Sequence, residues 1–136
     1  MTMFAAMDIA ISGATVSRTW MDAISHNIAN LNTVNPAGEE PFRALVVAAE
    51  SVRFESGERG GVRVQEIAAR DAQPALAFDP SDPNADPATG MVARPVVDLG
   101  QEMTNLVIAS RTYEANLGVV DRMRDAYMAA LRIGQR

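Results

Sequence analysis

The sequence has no cysteine and no lysine, and it has a single histidine. Without cysteine the chain can form neither disulfides nor thiolate metal sites. Its other cationic side chains are twelve arginines, and the formal net charge is −5. An acidic chain without a basic run is a poor match for a phosphate backbone, so we expect no nucleic-acid partner.

Long apolar runs are also missing. A helix that spans a bilayer needs about 18 or more consecutive apolar residues, and no such run occurs, so the chain is not expected to span a membrane. The first residues, MTMFAAMDIAISG, lack a basic region, and Asp8 interrupts their apolar pattern. We therefore do not expect a cleaved secretory signal.

Catalytic and metal-binding motifs are lacking as well. His26 is the only histidine, and no GxSxG or HExxH motif accompanies it. The run DPSDPNAD places Asp79, Asp82 and Asp86 together, but without the glycine and terminal glutamate of a calcium loop. We interpret it as a solvated turn. The sequence thus predicts no catalytic residue, no metal, no cofactor and no enzyme.

Proline is confined to the middle of the chain. All seven prolines lie between residues 36 and 95, and the flanks 1–32 and 98–134 have none. Because proline breaks helix interiors, the chain divides into a helix, an irregular middle and a second helix. We predict helices over 3–32 and 99–132.

Both flanks repeat apolar residues at alternating spacings of four and three, the heptad pattern of a coiled coil. At about 1.5 Å per residue each helix would be about 45–55 Å long. An ordinary core helix is the alternative for either flank alone, but two matched patterns favour pairing as an antiparallel coiled coil. The first series is Met3, Met7, Ala10, Ala14, Ser17, Met21, Ile24, Ile28 and Leu31. The second is Leu99, Met103, Leu106, Ser110, Tyr113, Leu117, Val120, Arg124, Tyr127 and Leu131.

The middle of the chain predicts short strands. FRALVVAAESVRF and GVRVQEI flank a glycine-rich connection of hairpin type, and ALAF and MVARPVV are two further candidates. Residues 79–90 carry repeated turn signals. The predicted fold class is therefore mainly α with a small β-rich middle. The predicted division is a discontinuous terminal domain, 1–35 with 98–136, and a hairpin and loop region, 36–97.

Charge is distributed unevenly between the flanks. Residues 1–35 have only Asp8, Arg18 and Asp22 as full charges, whereas the second flank is highly charged. A helix with one buried stripe normally has charge on its other face. We expect the first helix to be covered on more than one side. We also expect the cover to come partly from other subunits, because one partner helix and a small sheet would not suffice.

Four asparagines occur in NIANLNTVN, residues 27–35, where the first helix is predicted to end. Asparagine favours caps and turns and tolerates the left-handed conformation that ends helices. We therefore predict that Asn27, Asn30, Asn32 and Thr33 cap the helix and fix one geometry where the chain leaves the bundle. A plain stop signal is the alternative for any single asparagine.

These residues also carry a family resemblance. Asn27–Thr33 resembles the N-I-A-N-x-x-T signature of bacterial flagellar rod and hook proteins. EMTNLVIASRTYEANLGVVDRM, from Glu102, and FDPSDPNADPATGMVARPVVD, from Phe78, resemble segments of the proximal rod family within it. The resemblance covers nearly the whole chain, and the C-terminal segments are its specific part.

The resemblance implies a structural subunit of the basal-body rod, a hollow periplasmic drive shaft that transmits torque. It implies assembly with copies of itself and with neighbouring rod and axial proteins, and export without cleavage through the flagellar type III apparatus. It also implies that the paired helices line the central channel, with the charged second helix facing the channel. The residues expected at assembly contacts are Asn27, Asn30, Thr33, Glu102, Met103, Arg111, Tyr113, Glu114 and Asn116.

Two of those residues carry a more specific expectation. Arg111 and Glu114 are spaced as a helix pair, but an exposed pair contributes only about 0.2–0.5 kcal/mol. We therefore expect Arg111 or Asn116 to bond another subunit, or to bond the crossing helix near Asn30. The alternative functions are a sibling axial protein, another rod or hook subunit, and a non-flagellar helical adaptor or membrane-binding protein. The last would need a basic helix face, which this chain lacks.

Overall fold

The computed structural model describes residues 3–36, 39–53 and 59–134. Along the chain, a long helix at each end flanks a middle of short strands, as the fold class predicted. In chain order the elements are α1 (Met3–Ala29), β1 (Leu45–Arg53), β2 (Arg59–Ala69), β3 (Ala75–Phe78), β4 (Met91–Arg94) and α2 (Leu99–Gly134). α1 therefore ends three residues before the predicted boundary, and α2 continues two residues beyond it.

The buried face of α1 follows the predicted series. Ala10, Ala14, Ser17 and Ile24 are all buried. Ser17 is tolerated there because its hydroxyl donates to the Gly13 carbonyl at 2.9 Å. The side chains along this face are small in its first half, so another backbone can approach closely.

The buried face of α2 is rotated from the predicted one. Glu102 and Ala109 are buried, whereas the predicted Met103, Leu117 and Leu131 are 50%, 40% and 44% exposed. Leu106, Tyr113 and Val120, which the prediction also named, are half-buried. The predicted heptad position that contains Leu106, Tyr113 and Val120 is correct. The other predicted position is wrong by one residue, because Glu102 and Ala109 are buried and Met103 is exposed.

Close approach at Gly13 explains this rotation. A Cβ atom built on Gly13 would lie 2.9 Å from Nδ2 of Asn116, so the Asn116 side chain packs directly on the backbone of α1 there. A large residue such as Leu117 does not fit into so narrow a space. Ala109 and Asn116, one heptad apart, point inward instead.

The contacts between α1 and α2 join the beginning of each helix to the end of the other. The rings of Phe4 and Tyr127 meet edge to face with centroids 5.7 Å apart. Gly13 meets Asn116 in the middle, and Ile24 shares a cleft with Glu102 at the other end. The helices thus pack antiparallel, while the supercoil of a coiled coil stays a prediction.

Gly13 and Gly118 form a matched pair for testing the helix contact. Alanine normally stabilises a helix by about 0.5–1 kcal/mol relative to glycine. We expect that gain from Gly118→Ala, since nothing lies within 4 Å of its Cβ position. Gly13→Ala should instead lower the free energy of unfolding by about 1 kcal/mol through overpacking. Urea unfolding of both variants measures the difference, and equal gains would contradict the close approach.

β1 and β2 form an antiparallel hairpin that lies on a second side of α1. Its register shifts twice, leaving Gln65 and Gly60 as extra residues on β2. Gly61, at φ 117°, passes directly over Ser12, and the Val62 amide donates to the Ser12 hydroxyl at 3.1 Å. The sparse charge of α1 therefore has part of its explanation within one chain, because α2 and this hairpin cover two of its sides.

β3 and β4 form a second antiparallel hairpin around the loop 79–90. The acidic side chains of this loop hold its turns: Asp82 accepts from the Asn84 amide at 2.8 Å, and Asp86 accepts from the Ala88 amide at 2.8 Å. The Ala88 amide and the Thr89 hydroxyl hold the pKa of Asp86 below its ordinary value. The acidic cluster thus makes the turns that the sequence predicted.

Candidate assembly surface

α1 ends in a cap made by side chains. The Asn30 amide donates to the His26 carbonyl at 2.9 Å, and the Thr33 hydroxyl donates to Asn30 Oδ1 at 3.1 Å. These bonds confirm the capping predicted for Asn30 and Thr33. The left-handed conformation is not used, since no non-glycine residue in the described ranges has a positive φ.

Asn27 is a different case, because it is 1% exposed and caps nothing. Its amide donates to the Leu45 carbonyl at 3.0 Å, and its Oδ1 accepts from the Leu45 amide at 2.7 Å. One side chain therefore satisfies both backbone groups at the start of β1. Asn27 fixes where the chain leaves the helix pair, and its contact is internal.

Glu102 lies in the first turn of α2 and is 3% exposed. Asp98 caps this helix through a 3.1 Å bond from the Gln101 amide. The Glu102 side chain has no hydrogen bond or ion pair with any described residue. It lines a cleft of about 240 Å³ together with Trp20, Leu45, Arg70 and Asn105.

The other predicted assembly residues of α2 point in several directions. Asn116 packs over Gly13 and donates to the Thr112 carbonyl at 2.9 Å. Tyr113 is half-buried, whereas Met103, Arg111 and Glu114 are exposed. Among the described residues Arg111 and Glu114 form no ion pair. Asn116 lies at Gly13 and not near Asn30, so the other expected contact, a bond from Arg111 or Asn116 to another subunit, stays a prediction.

α2 presents a second apolar stripe beside its buried face. Five of its exposed apolar residues fall on one flank of the helix, at spacings that are sums of three and four. We call this flank the α2 stripe: Met103, Val107, Leu117, Met128 and Leu131, each between 40% and 50% exposed. Exposed Glu114, Asp121 and Arg124 interrupt this flank, so its apolar residues form separate patches. Exposed apolar patches beside polar residues are typical of a protein contact surface.

The opposite face of α2, away from α1, is polar. Its exposed polar side chains are Gln101, Thr104, Arg111, Arg122, Asp125 and Arg132. α2 therefore has three distinct faces: one against α1, one apolar and exposed, and one polar. The heptad pattern in the sequence combined the face against α1 and the exposed apolar face into one series, because a single heptad series describes only one apolar seam.

Two functional positions were missed by reading the sequence. Gly13 and Ser12 supply the close contacts to α2 and to the hairpin. A signal was present, because ISGATVS contains only small or β-branched residues in the middle of a long helix. Small residues grouped on a helix face permit close approach of another backbone.

Comparison with known proteins first identifies the class. Residues 7–36 match a family model described as flagella basal body rod protein, and residues 88–133 match one described as flagellar basal body rod FlgEFG protein C-terminal. The two matches cover α1 with its asparagine cap and nearly all of α2. The helix pair and its ends are thus the parts shared with flagellar rod proteins.

Relatives of similar length narrow the class. The chain is 35% identical to the flagellar basal-body rod protein FlgC of Bacillus subtilis, over 99% of this chain and 100% of that protein. It is 34% identical to FlgC of Yersinia enterocolitica over the same shares, and 37% identical to FlgC of Aquifex aeolicus over 86% of each chain. The chain belongs to the FlgC family and is a structural rod subunit of the flagellar basal body.

The comparisons confirm the family resemblance and favour it over a sibling axial protein. They also confirm the flagellar role over a non-flagellar adaptor. In the part of the chain that the structure describes, neither α1 nor α2 is long and apolar enough to cross a bilayer.

Proposed function

We propose that the chain polymerises in the proximal part of the rod, with α1 and α2 of each copy paired as a coiled coil around a central channel. The α2 stripe carries this proposal. An exposed apolar flank on a helix that is already packed on its other side requires a further helix or sheet to cover it. A neighbouring rod subunit supplies that cover.

The three faces of α2 then take different roles. The first face packs on α1, the α2 stripe packs on a neighbouring subunit, and the polar face borders the aqueous channel. This arrangement refines the expectation that the charged helix simply faces the channel. A channel-lining surface must stay wet, and the exposed arginines and Asp125 on the polar face suit it.

The role we propose is mechanical and not catalytic. His26 lies in the last turn of α1, where its ring packs edge to face on Phe42 with centroids 5.3 Å apart. This ring contact accounts for the residue without any reaction. Torque transmission requires stiff elements, which two long packed helices provide.

We further propose that the chain reaches the rod through the flagellar type III export apparatus without cleavage of a leader. Phe4 supports this, because its ring contact with Tyr127 closes one end of the helix pair. Cleavage anywhere within α1 would remove that contact. Mass spectrometry of the chain recovered from rods tests the point, and a truncated N-terminus would contradict it.

The test of the stripe compares substitutions on two faces of α2. We expect Leu117→Glu to abolish swimming and to remove the chain from detergent-extracted basal bodies that survive a salt wash. Ala115→Glu, on the exposed polar face, should swim normally. Full burial of a leucine is worth about 1.5–3 kcal/mol, and burial of the exposed 40% of Leu117 contributes a corresponding fraction of it. The larger expected effect of Leu117→Glu is the cost of burying an unpaired carboxylate in the contact.

Monomer measurements make this test specific. Because Leu117 is already 40% exposed, Leu117→Glu should leave the circular dichroism and urea midpoint of the isolated chain nearly unchanged. Normal incorporation of Leu117→Glu into basal bodies would overturn the proposed use of the stripe.

A further inference from the structure

The most unusual group outside the helix contact is the Glu102 carboxylate. The side chain is 3% exposed, and within the described chain it has no hydrogen-bond or ion-pair partner. Burial of an ionised carboxylate is costly unless a partner compensates for it. The N-terminus of α2 offers a favourable dipole, but no amide is bonded to the side chain. The Glu102 oxygens are not sealed off from solvent, so the carboxylate is accessible to a donor that enters the cleft beside it.

The cleft beside Glu102 has the shape and chemistry to admit one cation. It measures about 240 Å³ and is bordered by Trp20, Asn105 and the exposed Arg70. An indole face attracts a guanidinium, and an amide oxygen accepts from it. A carboxylate takes two parallel bonds from a guanidinium, which is a stronger arrangement than a bond to a single point charge.

The identity of the cation follows from the composition of the chain. All of its full cations are arginine. Among the arginine side chains that the structure describes, four form ion pairs with acidic residues of the same chain. The others are Arg18, Arg53, Arg70, Arg111, Arg122 and Arg132.

Position distinguishes Arg18 from the remaining arginines. Arg18 lines a groove with Tyr113 and Leu117, so it lies on the same flank of the helix pair as the α2 stripe. The cleft of Glu102 lies on the opposite flank, with Trp20 and Ile24. Arg111, Arg122 and Arg132 are on the polar face, and Arg53 is at the end of β1. Arg70 borders the cleft within the same chain but forms no ion pair with Glu102, so the carboxylate is open to a second arginine. Within one chain Arg18 points away from Glu102.

We infer that the Glu102 cleft receives the Arg18 guanidinium of a second copy of this chain. This inference rests on the proposed polymerisation and names a contact within it. When the stripe flank of one copy meets the cleft flank of the next, Arg18 arrives beside Trp20. The offset between Arg18 and the cleft residues Trp20–Ile24 is about 3–9 Å along α1. Such a head-to-tail contact builds a ring if its rotation closes and a helical array if it does not, and the proposed polymerisation requires the helical array.

Charge substitutions give the first test, in cells that carry the remaining basal-body proteins. Glu102→Gln keeps the shape of the side chain and removes its charge. We expect it, and likewise Arg18→Glu, to reduce the chain recovered in basal bodies about tenfold. Glu66→Gln is the matched control, because Glu66 is an exposed glutamate of β2 outside the expected assembly contacts and should have no effect. The double variant Arg18→Glu with Glu102→Arg should recover assembly above either reversal alone.

Cysteine cross-linking gives the second test, which is possible because the chain has no cysteine of its own. A chain with both Arg18→Cys and Glu102→Cys should form a ladder of disulfide-linked oligomers of itself in oxidised basal bodies. Each single-cysteine variant should give no ladder. The pair Arg111→Cys with Glu102→Cys is the control and should also give none.

Several results would overturn the inference. One is normal assembly of Arg18→Glu, and another is a double reversal that assembles no better than Glu102→Arg. A third is Arg70→Gln reproducing the defect of Glu102→Gln while Arg18 variants assemble, which would place the partner inside the chain. A cross-link to a different axial protein would assign the cleft to that partner. If the unsubstituted chain is present in basal bodies throughout, these results refute the Arg18 contact and leave the rod role intact.

Discussion

Replacing Asn27 with leucine should lower the free energy of unfolding by about 2–4 kcal/mol. The side chain is almost completely buried and bonds both the amide and the carbonyl of Leu45. Leucine has a similar branched shape but is larger, and it leaves two backbone groups without partners, at about 1–3 kcal/mol each when buried. In urea the unfolding midpoint should fall by about 1–2 M.

A matched set of variants separates this internal bond from the caps. Asn32→Leu changes an exposed asparagine and should shift stability by no more than about 0.5 kcal/mol. Asn27→Asp keeps the acceptor for the Leu45 amide but loses the donor to the Leu45 carbonyl, so its loss should be intermediate. If Asn27→Leu were as stable as the unsubstituted chain, the attachment of β1 to α1 would have to lie elsewhere.

The asparagine cluster shows how far local sequence preference can predict structure. Preference for caps and turns correctly places Asn30 and Thr33 at the end of α1. The same preference says nothing about Asn27, because its partner Leu45 is eighteen residues away. A long-range bond of this kind depends on how β1 returns to α1, and no pattern around residue 27 encodes that return.

The two helices differ in predictability for a physical reason. The buried series of α1 was predicted well because α1 is covered on two sides, so its apolar residues are mostly buried. α2 has one internal contact and one exposed apolar stripe, and a period near 3.5 fits both. Glu102 and Asn116 were predicted as contact residues, but the sequence did not predict their burial. That burial depends on the cleft at Trp20 and on the close contact at Gly13.

The hairpins were predicted from alternation and turn residues, and ALAF coincides with β3. The two register shifts in β2 were not predicted, because they follow from the way Gly61 passes over Ser12. Assembly contacts are the least predictable feature, since half of each contact belongs to another molecule. Within a single chain, we infer such contacts from the exposed α2 stripe and from the Glu102 carboxylate, which has no partner among the described residues.

Removing residues 131–136 should abolish swimming although the isolated chain folds as before. Leu131 and Ile133 are 44% and 77% exposed, so the last turn of α2 contributes little to the contact with α1. The free energy of unfolding of the isolated chain should change by no more than about 0.5 kcal/mol. The loss falls on assembly, because Leu131 ends the α2 stripe and burial of its exposed 44% contributes about 0.7–1.3 kcal/mol to each subunit contact.

Two controls decide where the effect of that deletion lies. Arg132→Ala, which removes a charge from the polar face of the same turn, should swim normally. Leu131→Ser with Ile133→Ser, which keeps the length of the chain, should reproduce the defect. Normal swimming of the truncated chain at unchanged protein levels would contradict the use of the stripe. A truncated chain that unfolds would show that the last turn packs on α1 after all, as the original heptad pattern predicted.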